Sequence, residues 1–337
     1  FFLQQHLFLY IPHLSPPNPI LQITSLLLPS LMASSTLALL FALSFAISIH
    51  FNLCFAQTDK LVQQQASSLN YHKGPLLAGK ISLNLIWYGS FKPSQRAIVS
   101  DFLYSLSAPA DGNPNVATWW NGVNRYLANV NYAKSSPAEV SIGSQITDER
   151  CSLGKKLTVD QITKLASKGG NGNSINVVLT AADVAVDGFC SIKCGSHGSV
   201  GPSKVPYIWV GNAEAQCPGH CAWPFHKPIY GPQSPALIAP NNDVGVDGMV
   251  ANLASLLVGT VTNPYGNGYF QGSKKAPLEA ASACAGVYGR GAYPGYAGDL
   301  LVDKTSGGSY NARGVNGRKY LLPAMMNPGT STCNTLV

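Results

Sequence analysis

The sequence predicts an α/β fold of the α+β kind: a single domain, spanning residues 57–337, in which helices cover a mixed β-sheet. Two observations predict it. Segments with the period-two pattern of strands alternate with segments that carry the apolar stripe of helices. No internal repeat and no linker divides these segments. A third observation predicts how the domain ends: after about Ala276, Gly, Ala, Tyr and Ser dominate and periodicity nearly disappears, which indicates a long irregular C-terminal tail.

The first elements are a strand and two helices. In ISLNLIWY (81–88) alternate residues share one face, the period-two signature of a strand. Pro93 opens a helix through Leu106, and Pro114 opens a second helix. In that second helix Trp119 and Trp120 fall on an i, i+3, i+4 stripe, which favours the core. A platform for stacking sugar rings is the alternative interpretation of the paired tryptophans.

Further strands and helices follow in alternation. A strand fits 139–147, and Thr158 with Gln161 makes a capping-box pattern before a short helix. Two buried strands fit 176–182 and 207–210. Together with the first strand, these segments supply the predicted sheet.

The longest helix begins after capping side chains at 241–243 and ends at Asn263-Pro264. Its apolar stripe runs over about four turns, so we expect it to lie across the core. Beyond it the tail would be disordered unless anchored, and Cys284 and Cys333 lie near the tail's two ends. A bridge between them would stabilise the domain by roughly 4 kcal/mol in the chain-entropy model.

The N-terminal region has the features of a secretory signal. The first methionine is Met32, an uncharged apolar run covers 37–49, and small residues precede a predicted cleavage between Ala56 and Gln57. Residues 32–56 are therefore interpreted as a signal peptide, with an uncleaved anchor as the alternative. Residues 1–31 carry no charge or periodicity and are interpreted as upstream translation foreign to the protein. After signal removal no membrane span is predicted.

The net charge of +7 lies entirely beyond the predicted cleavage site. A basic secreted protein would be drawn to acidic polysaccharide or to anionic surfaces, although ordinary solubility charge explains this value equally well. No run of Lys or Arg exceeds two residues, so nucleic acid is excluded as a predicted partner.

Cys54 leaves with the predicted signal peptide, and an odd number of cysteines remains. An oxidising compartment favours disulfides, but the sequence leaves their connectivity open. The disulfide candidates are Cys190, Cys194, Cys217, Cys221, Cys284 and Cys333. A tetrahedral zinc site is the alternative for Cys194, His197, Cys217, Cys221 and His226, and redox chemistry of these cysteines is a further one. C-x3-C spacing is unlike a zinc knuckle and an oxidising compartment favours disulfides, so no metal and no cofactor are predicted.

Two Cys/His-rich segments, CSIKCGSHG (190–198) and CPGHCAWPFH (217–226), also supply the candidate binding residues. These candidates are Trp223, His197, His220 and His226. No complete catalytic set occurs: the chain lacks G-x-S-x-G, and Asp183 with Asp187 fits turn-forming acids better than paired catalytic carboxylates.

Several long stretches resemble one plant family, the EXORDIUM-like or phosphate-induced proteins, over about residues 71–337. The stretches are ISLNLIWYGSFKPSQRAIVSDF, INVVLTAADVAVDGFC, IWVGNAEAQCPGHCAWPF, APNNDVGVDGMVANLASLLVGTVTNPYGNGYFQG and CAGVYGRGAYPGYAGDLLVD. The resemblance implies secretion to the apoplast and cell wall, and a role in brassinosteroid- or nutrient-responsive growth and cell expansion. It supplies no catalytic residue, and it implies that Cys151 is the unpaired thiol.

A second resemblance concerns ASLLVGTVTNP (254–264), which is similar to a segment of some microbial secreted proteins reading S-H-E-L-A-E-A-x-T-D-P. There the His and Glu suit zinc binding and general-base work. The matching positions here are Ser255, Leu256, Gly259 and Asn263. The resemblance implies a zincin-like scaffold whose metal site has been lost.

The sequence therefore favours a non-catalytic secreted protein that binds an acidic wall polysaccharide or another apoplastic protein. One alternative is an extracellular hydrolase that uses the Cys/His-rich segments or Asp183 with Asp187, or that derives from a zinc metallopeptidase scaffold whose metal ligands are lost. The other is a purely structural wall component.

Overall fold

The computed structural model describes residues 68–108, 112–130, 136–191, 193–229, 231 and 234–337. The chain divides into two units, Phe1–Gln63 and Gln64–Val337, and the described residues belong to the second. The predicted signal peptide, the cleavage position at Ala56 and Gln57, and residues 1–31 lie outside the described residues. These interpretations stay predictions, as does the assignment of residues 57–337 to a single domain.

The strands within the described ranges are β1 (Asn70–Tyr71), β2 (Lys80–Tyr88), β3 (Glu139–Asp148), β4 (Lys156–Leu157), β5 (Ser174–Thr180), β6 (Ala185–Val186), β7 (Gly195–Val200), β8 (Val205–Gly211), β9 (Tyr269–Phe270), β10 (Leu301–Val302), β11 (Ser309–Tyr310), β12 (Ala312–Arg313), β13 (Lys319–Tyr320), β14 (Met325–Met326) and β15 (Cys333–Asn334). The helices there are α1 (Pro93–Ser105), α2 (Val116–Asn121), α3 (Asn124–Asn129), α4 (Val159–Ala166), α5 (Pro218–Cys221) and α6 (Val244–Thr262). Single 3-10 turns form at Ser282–Cys284 and Val315–Gly317.

The core sheet has five strands in the order β3-β2-β5-β8-β7. The first four are parallel, and β7 joins the edge antiparallel to β8. Strand β2 lies between β3 and β5. The chain connections that lead to these two neighbours therefore run in opposite directions along the sheet. The predicted mixed sheet covered by helices is confirmed. The finer prediction of a zincin-like scaffold stays a prediction.

A ladder of buried amides fixes the register at the centre of the sheet. Nδ2 of Asn84 in β2 donates to Oδ1 of Asn176 in β5 at 2.9 Å, and the Asn84 Oδ1 accepts from the Ser144 backbone N–H at 3.1 Å. A register shift between β2 and β3 lies between Leu83 and Leu85, opposite Ser144. Because buried amide groups are costly when unpaired, a one-residue slip of any of these strands is disfavoured.

The helix predicted from Pro114 is in fact two short helices, α2 and α3, so that prediction was wrong. Gly122 ends α2, and its backbone N–H donates to carbonyls of the preceding turn. Trp119 and Trp120 are 4% and 2% exposed, and each indole N–H donates to a backbone carbonyl. Both indoles therefore belong to the core, and they do not form a shared, exposed platform for stacking sugar rings.

Helix α6 lies across the sheet and contacts β7, β8 and α1. Among the described helices it alone is long and apolar enough to cross a membrane, yet 78% of its most apolar stretch is buried inside the protein. Burial of this kind is what a core helix of a globular domain shows, and length and composition alone are weak evidence for a span.

The predicted irregular tail is extended chain folded back into short antiparallel pairs, β10–β11, β12–β13 and β14–β15. A disulfide joins Cys284 and Cys333 with a Cα–Cα distance of 5.7 Å. Tyr320, Leu321 and Leu322 of the tail are at most 2% exposed, so the tail is part of the core.

Candidate functional site

Two polar centres stand out among the described residues: a buried cluster beside helix α6, and an open cleft between α1 and the tail. The cluster contains positions that the sequence pointed to. A methyl group added to Gly259 would come within 2.5 Å of the Glu279 Oε2 and 3.5 Å of the His197 Nε2. The glycine thus makes room for the side chains of two residues that are far away in sequence.

Glu279 connects the members of this cluster. Its Oε2 lies 2.8 Å from Nε2 of His197, and its Oε1 accepts from Nδ2 of Asn263 at 2.7 Å. The side chains of His197 and Glu279 are 14% and 11% exposed. Oδ1 of Asn263 accepts from the Gly268 N–H, so both the nitrogen and the oxygen of the amide are hydrogen-bonded. The His197 Nδ1 is buried and has no hydrogen-bond partner among the described residues.

Sequence reasoning identified His197, Gly259 and Asn263 separately, but it missed Glu279. A signal was present, because Glu279 is the one acidic residue between Asp247 and Asp299. The remaining two candidate positions behave differently. Leu256 packs against Gly195 of β7, and Ser255 is partly exposed on the same helix. Among the described residues no group of three or more His, Cys, Asp or Glu side chains converges as metal ligands do.

The other Cys/His candidates lie near two disulfides. These disulfides connect the segment that leads into strand β7 with helix α5 and the residue before it. Cys190 pairs with Cys217, and Cys194 pairs with Cys221. These thiols are therefore not available as ligands. The predicted presence of disulfides is confirmed, and the connectivity that the sequence left open is fixed by this packing.

Of the predicted binding residues, His197 enters the buried cluster whereas the others do not. His220 and His226 are exposed. Trp223 is half-buried, with its ring centroid 5.9 Å from that of Tyr288. The four residues therefore do not present one common binding surface in the way their proximity in sequence suggested.

Cys151 is free and buried, 8% exposed. Burial raises the pKa of its thiol, and the nearby carboxylate of Asp183 acts in the same direction. Since the thiolate is the reactive form, Cys151 is a slow nucleophile in the folded protein.

The polar cleft is a cavity of about 350 Å³. Its polar lining includes Asp101, Asn241, Asp303, Asn316, Arg318 and Lys319. Helix α1 supplies Asp101, the loop before α6 supplies Asn241, and the tail supplies the other four. The cleft exists only because the tail folds back across α1 and the start of α6.

Ion pairs hold the cleft's charged side chains in place. The Arg318 Nε donates to Oδ2 of Asp101 at 3.1 Å, and the Lys319 Nζ donates to Oδ2 of Asp303 at 2.5 Å. Lys319, together with backbone donation from Thr305, holds the pKa of Asp303 at about 2. The Asn316 Nδ2 also donates to Asp101, at 2.9 Å. Carboxylate, amide, guanidinium and ammonium groups therefore line one small volume in fixed orientations.

Asp247 lies beneath the cleft and is 3% exposed. Its two carboxylate oxygens accept from the backbone N and from Nδ2 of Asn241, at 2.9 and 2.6 Å. Burial raises the pKa of Asp247 to about 7, although the hydrogen bonds from Asn241 oppose the shift. Asn241 thus links the protonation state of a buried acid to the cleft wall.

Comparison with known proteins identifies close relatives. Residues 69–336 match the family model described as the phosphate-induced protein 1 conserved region. The chain is 62% identical over 310 residues to Protein PHOSPHATE-INDUCED 1 of Nicotiana tabacum, covering 88% of this chain and 98% of that protein. It is 63% identical over 284 residues to Protein EXORDIUM of Arabidopsis thaliana, covering 81% and 90%. No solved structure matches the chain.

Proposed function

The chain belongs to the phosphate-induced protein 1 family, which includes EXORDIUM and the EXORDIUM-like proteins, and we propose that it is a secreted, non-catalytic binding protein of the plant cell wall. Its ligand is an acidic wall polysaccharide, and the polar cleft is the binding site. The growth and cell-expansion role that the family resemblance implies is part of the proposal. Disulfides support the extracellular location because they persist in oxidising compartments.

The observation that carries the proposal is the mixture of groups in the polar cleft. Sugar hydroxyls both donate and accept hydrogen bonds, so a site for them needs both kinds of partner. Asp101 and Asp303 accept, Arg318 and Lys319 donate, and amides do both. Because the ion pairs already hold these side chains, binding costs little additional side-chain ordering.

The overall charge favours an acidic polymer over a neutral one, since the two cations and two carboxylates of the cleft balance each other. Arg318 and Lys319 are adjacent in the tail, and each can add a hydrogen bond to a uronate carboxylate while keeping its own partner. The net charge of +7 adds a long-range attraction for polyanions. Such attraction is screened at high ionic strength, which makes the binding measurable by its salt dependence.

The test is titration calorimetry of the purified protein with oligogalacturonate at low and high salt. We expect salt-sensitive binding that Lys319→Gln weakens several-fold. The matched control is Lys304→Gln, which removes an exposed charge from the same tail segment outside the cleft. Equal weakening by both variants would show that net charge and not the cleft binds the polymer, and absence of salt-sensitive binding would remove the polysaccharide ligand.

A hydrolase remains the alternative function, and one observation favours it. The His197–Glu279 pair places an imidazole beside a carboxylate, an arrangement that can relay a proton. Release of reducing sugar from wall polysaccharides by the wild-type protein, abolished by His197→Gln, would replace the binding proposal with this one.

A further inference from the structure

A second cavity, here called the apolar cavity, lies between helices α2 and α3 and the strand pair β14–β15. Its volume is about 270 Å³. Trp119, Tyr126, Met325, Met326 and Leu336 supply its apolar lining. No residue of the polar cleft lines it, so it is a separate site.

The polar atoms of this lining are already used. The Trp119 indole N–H donates to the Pro323 carbonyl at 2.8 Å, and the Tyr126 hydroxyl donates to the carbonyl of Met326. The floor therefore presents ring carbons and thioether groups. Aromatic rings and methionine sulfur both make favourable contacts with an aromatic ligand, and methionine adapts to its outline.

One cation stands at the rim of the apolar cavity. Arg125 of α3 is exposed and lines the cavity, and none of the described carboxylates lies within ion-pair distance of it. Its planar guanidinium can hold a carboxylate by two parallel hydrogen bonds. Thr118, Asn327, Asn334 and Thr335 add polar groups around the same opening.

We propose that the apolar cavity binds a small organic acid that carries one aromatic ring, with the ring on the Trp119–Tyr126–methionine floor and the carboxylate on Arg125. The volume corresponds to about nine waters at roughly 30 Å³ each, which suits one ring and a short acid arm.

The Cys284–Cys333 disulfide holds one wall of the apolar cavity in place. Cys333 lies in β15, next to the lining residues Asn334 and Thr335, and β15 pairs with β14, whose Met325 and Met326 form part of the floor. The wall is thus fixed before a ligand arrives. Preorganisation of this kind reduces the entropy lost on binding.

The test measures binding of phenylacetate and of its neutral isostere phenylacetamide to the full protein, by calorimetry and by Trp fluorescence. We expect phenylacetate to bind about tenfold more tightly than the amide. Arg125→Gln should remove that tenfold difference and leave amide binding unchanged. Arg150→Gln, which removes an exposed arginine that does not line the cavity, should leave both affinities unchanged.

A second variant tests the cavity itself. Thr118 is exposed at the rim, so Thr118→Trp should fill the opening without unfolding the protein, and it should abolish binding of both probes. The proposal is overturned if neither probe binds the wild-type protein, if the acid and the amide bind equally, or if Arg125→Gln and Arg150→Gln act alike. Ligand-sensitive dimerisation in sedimentation would instead identify the cavity as an interface between two copies.

Discussion

Two buried carboxylates, Asp247 and Glu279, sit in the polar centres of the protein, and each is satisfied by a different kind of partner. Asp247 accepts two hydrogen bonds from Asn241 and one from the backbone of Asp243, whereas Glu279 accepts from His197 and Asn263. A buried acceptor that loses its donors costs about 1–3 kcal/mol. Loss of a single donor residue should therefore destabilise either centre.

Asp247 gives a prediction about pH. Its pKa rises from 3.8 to about 7 on folding, so between these values the folded protein holds a proton that the unfolded chain has released. Stability should therefore fall as pH rises from about 4 to 7, by up to a few kcal/mol at about 1.4 kcal/mol per pKa unit. Urea unfolding midpoints across this range measure the slope.

The variant for this measurement is Asp247→Asn, which cannot ionise and should flatten the fall in stability between pH 4 and 7. Asp187→Asn, a change of the same kind at an exposed acid, should leave the slope as it is in the wild type. If Asp247→Asn keeps the wild-type slope, another group carries the pH dependence.

Helix α6 shows how one element can carry glycine without being weakened. Glycine in a helix interior costs about 1 kcal/mol relative to alanine. Yet a methyl group at Gly248 would lie 2.7 Å from the Ala222 Cα, and one at Gly259 would meet Glu279. These glycines allow the disulfide-bonded segment and the Glu279 loop to approach the helix closely.

Gly259→Ala should therefore lower the free energy of unfolding by about 1–3 kcal/mol, because overpacking against Glu279 exceeds the gain in helix propensity. Ser255→Ala, one turn earlier at a partly exposed position, should leave stability within about half a kcal/mol of the wild type. Thermal and urea unfolding of both variants make the comparison. A Gly259→Ala variant more stable than the wild type would show that the carboxylate moves aside without cost.

At the largest scale, the C-terminal tail packs against the rest of the domain and forms part of its core. It pairs with itself in short strands, reaches α1 through the Arg318–Asp101 ion pair, and donates from the Tyr320 hydroxyl to the Ile98 carbonyl at 2.9 Å. It also lines both the polar cleft and the apolar cavity. The two proposed sites therefore depend on the same anchoring.

Loss of that anchor should be costly. The Cys284–Cys333 bridge spans 49 residues, so the paired variant Cys284→Ser/Cys333→Ser should lose roughly 4 kcal/mol of stability in the chain-entropy model. The Cys190–Cys217 bridge spans 27 residues, and its paired serine variant should lose about half a kcal/mol less. Urea unfolding measures both losses, and near-wild-type stability without the tail disulfide would mean that packing alone holds the tail.

The sequence by itself determined the four parallel strands of the sheet, the two long helices and the need for disulfides, but it missed the antiparallel edge strand β7. Strands and helices can be predicted from short stretches of sequence, through period-two and i, i+3, i+4 patterns and through caps such as Thr158 and Asp243. The need for disulfides follows from the number of cysteines. The sequence predicted one helix where the structure has α2 and α3, because Gly122 interrupts an apolar stripe that continues on both sides. A stripe predicts which face is buried, but it does not show whether the backbone is continuous.

Only the tertiary structure decided the sites. His197 and Glu279 are 82 positions apart, and Asp101 and Arg318 are 217 apart, so no local pattern relates the members of either pair. Which of them meet depends on how α6 crosses the sheet and where the tail returns. The packing of the whole core decides which residues meet. The hydrogen bonds and ion pairs that result have no periodic pattern in the sequence by which they could be predicted.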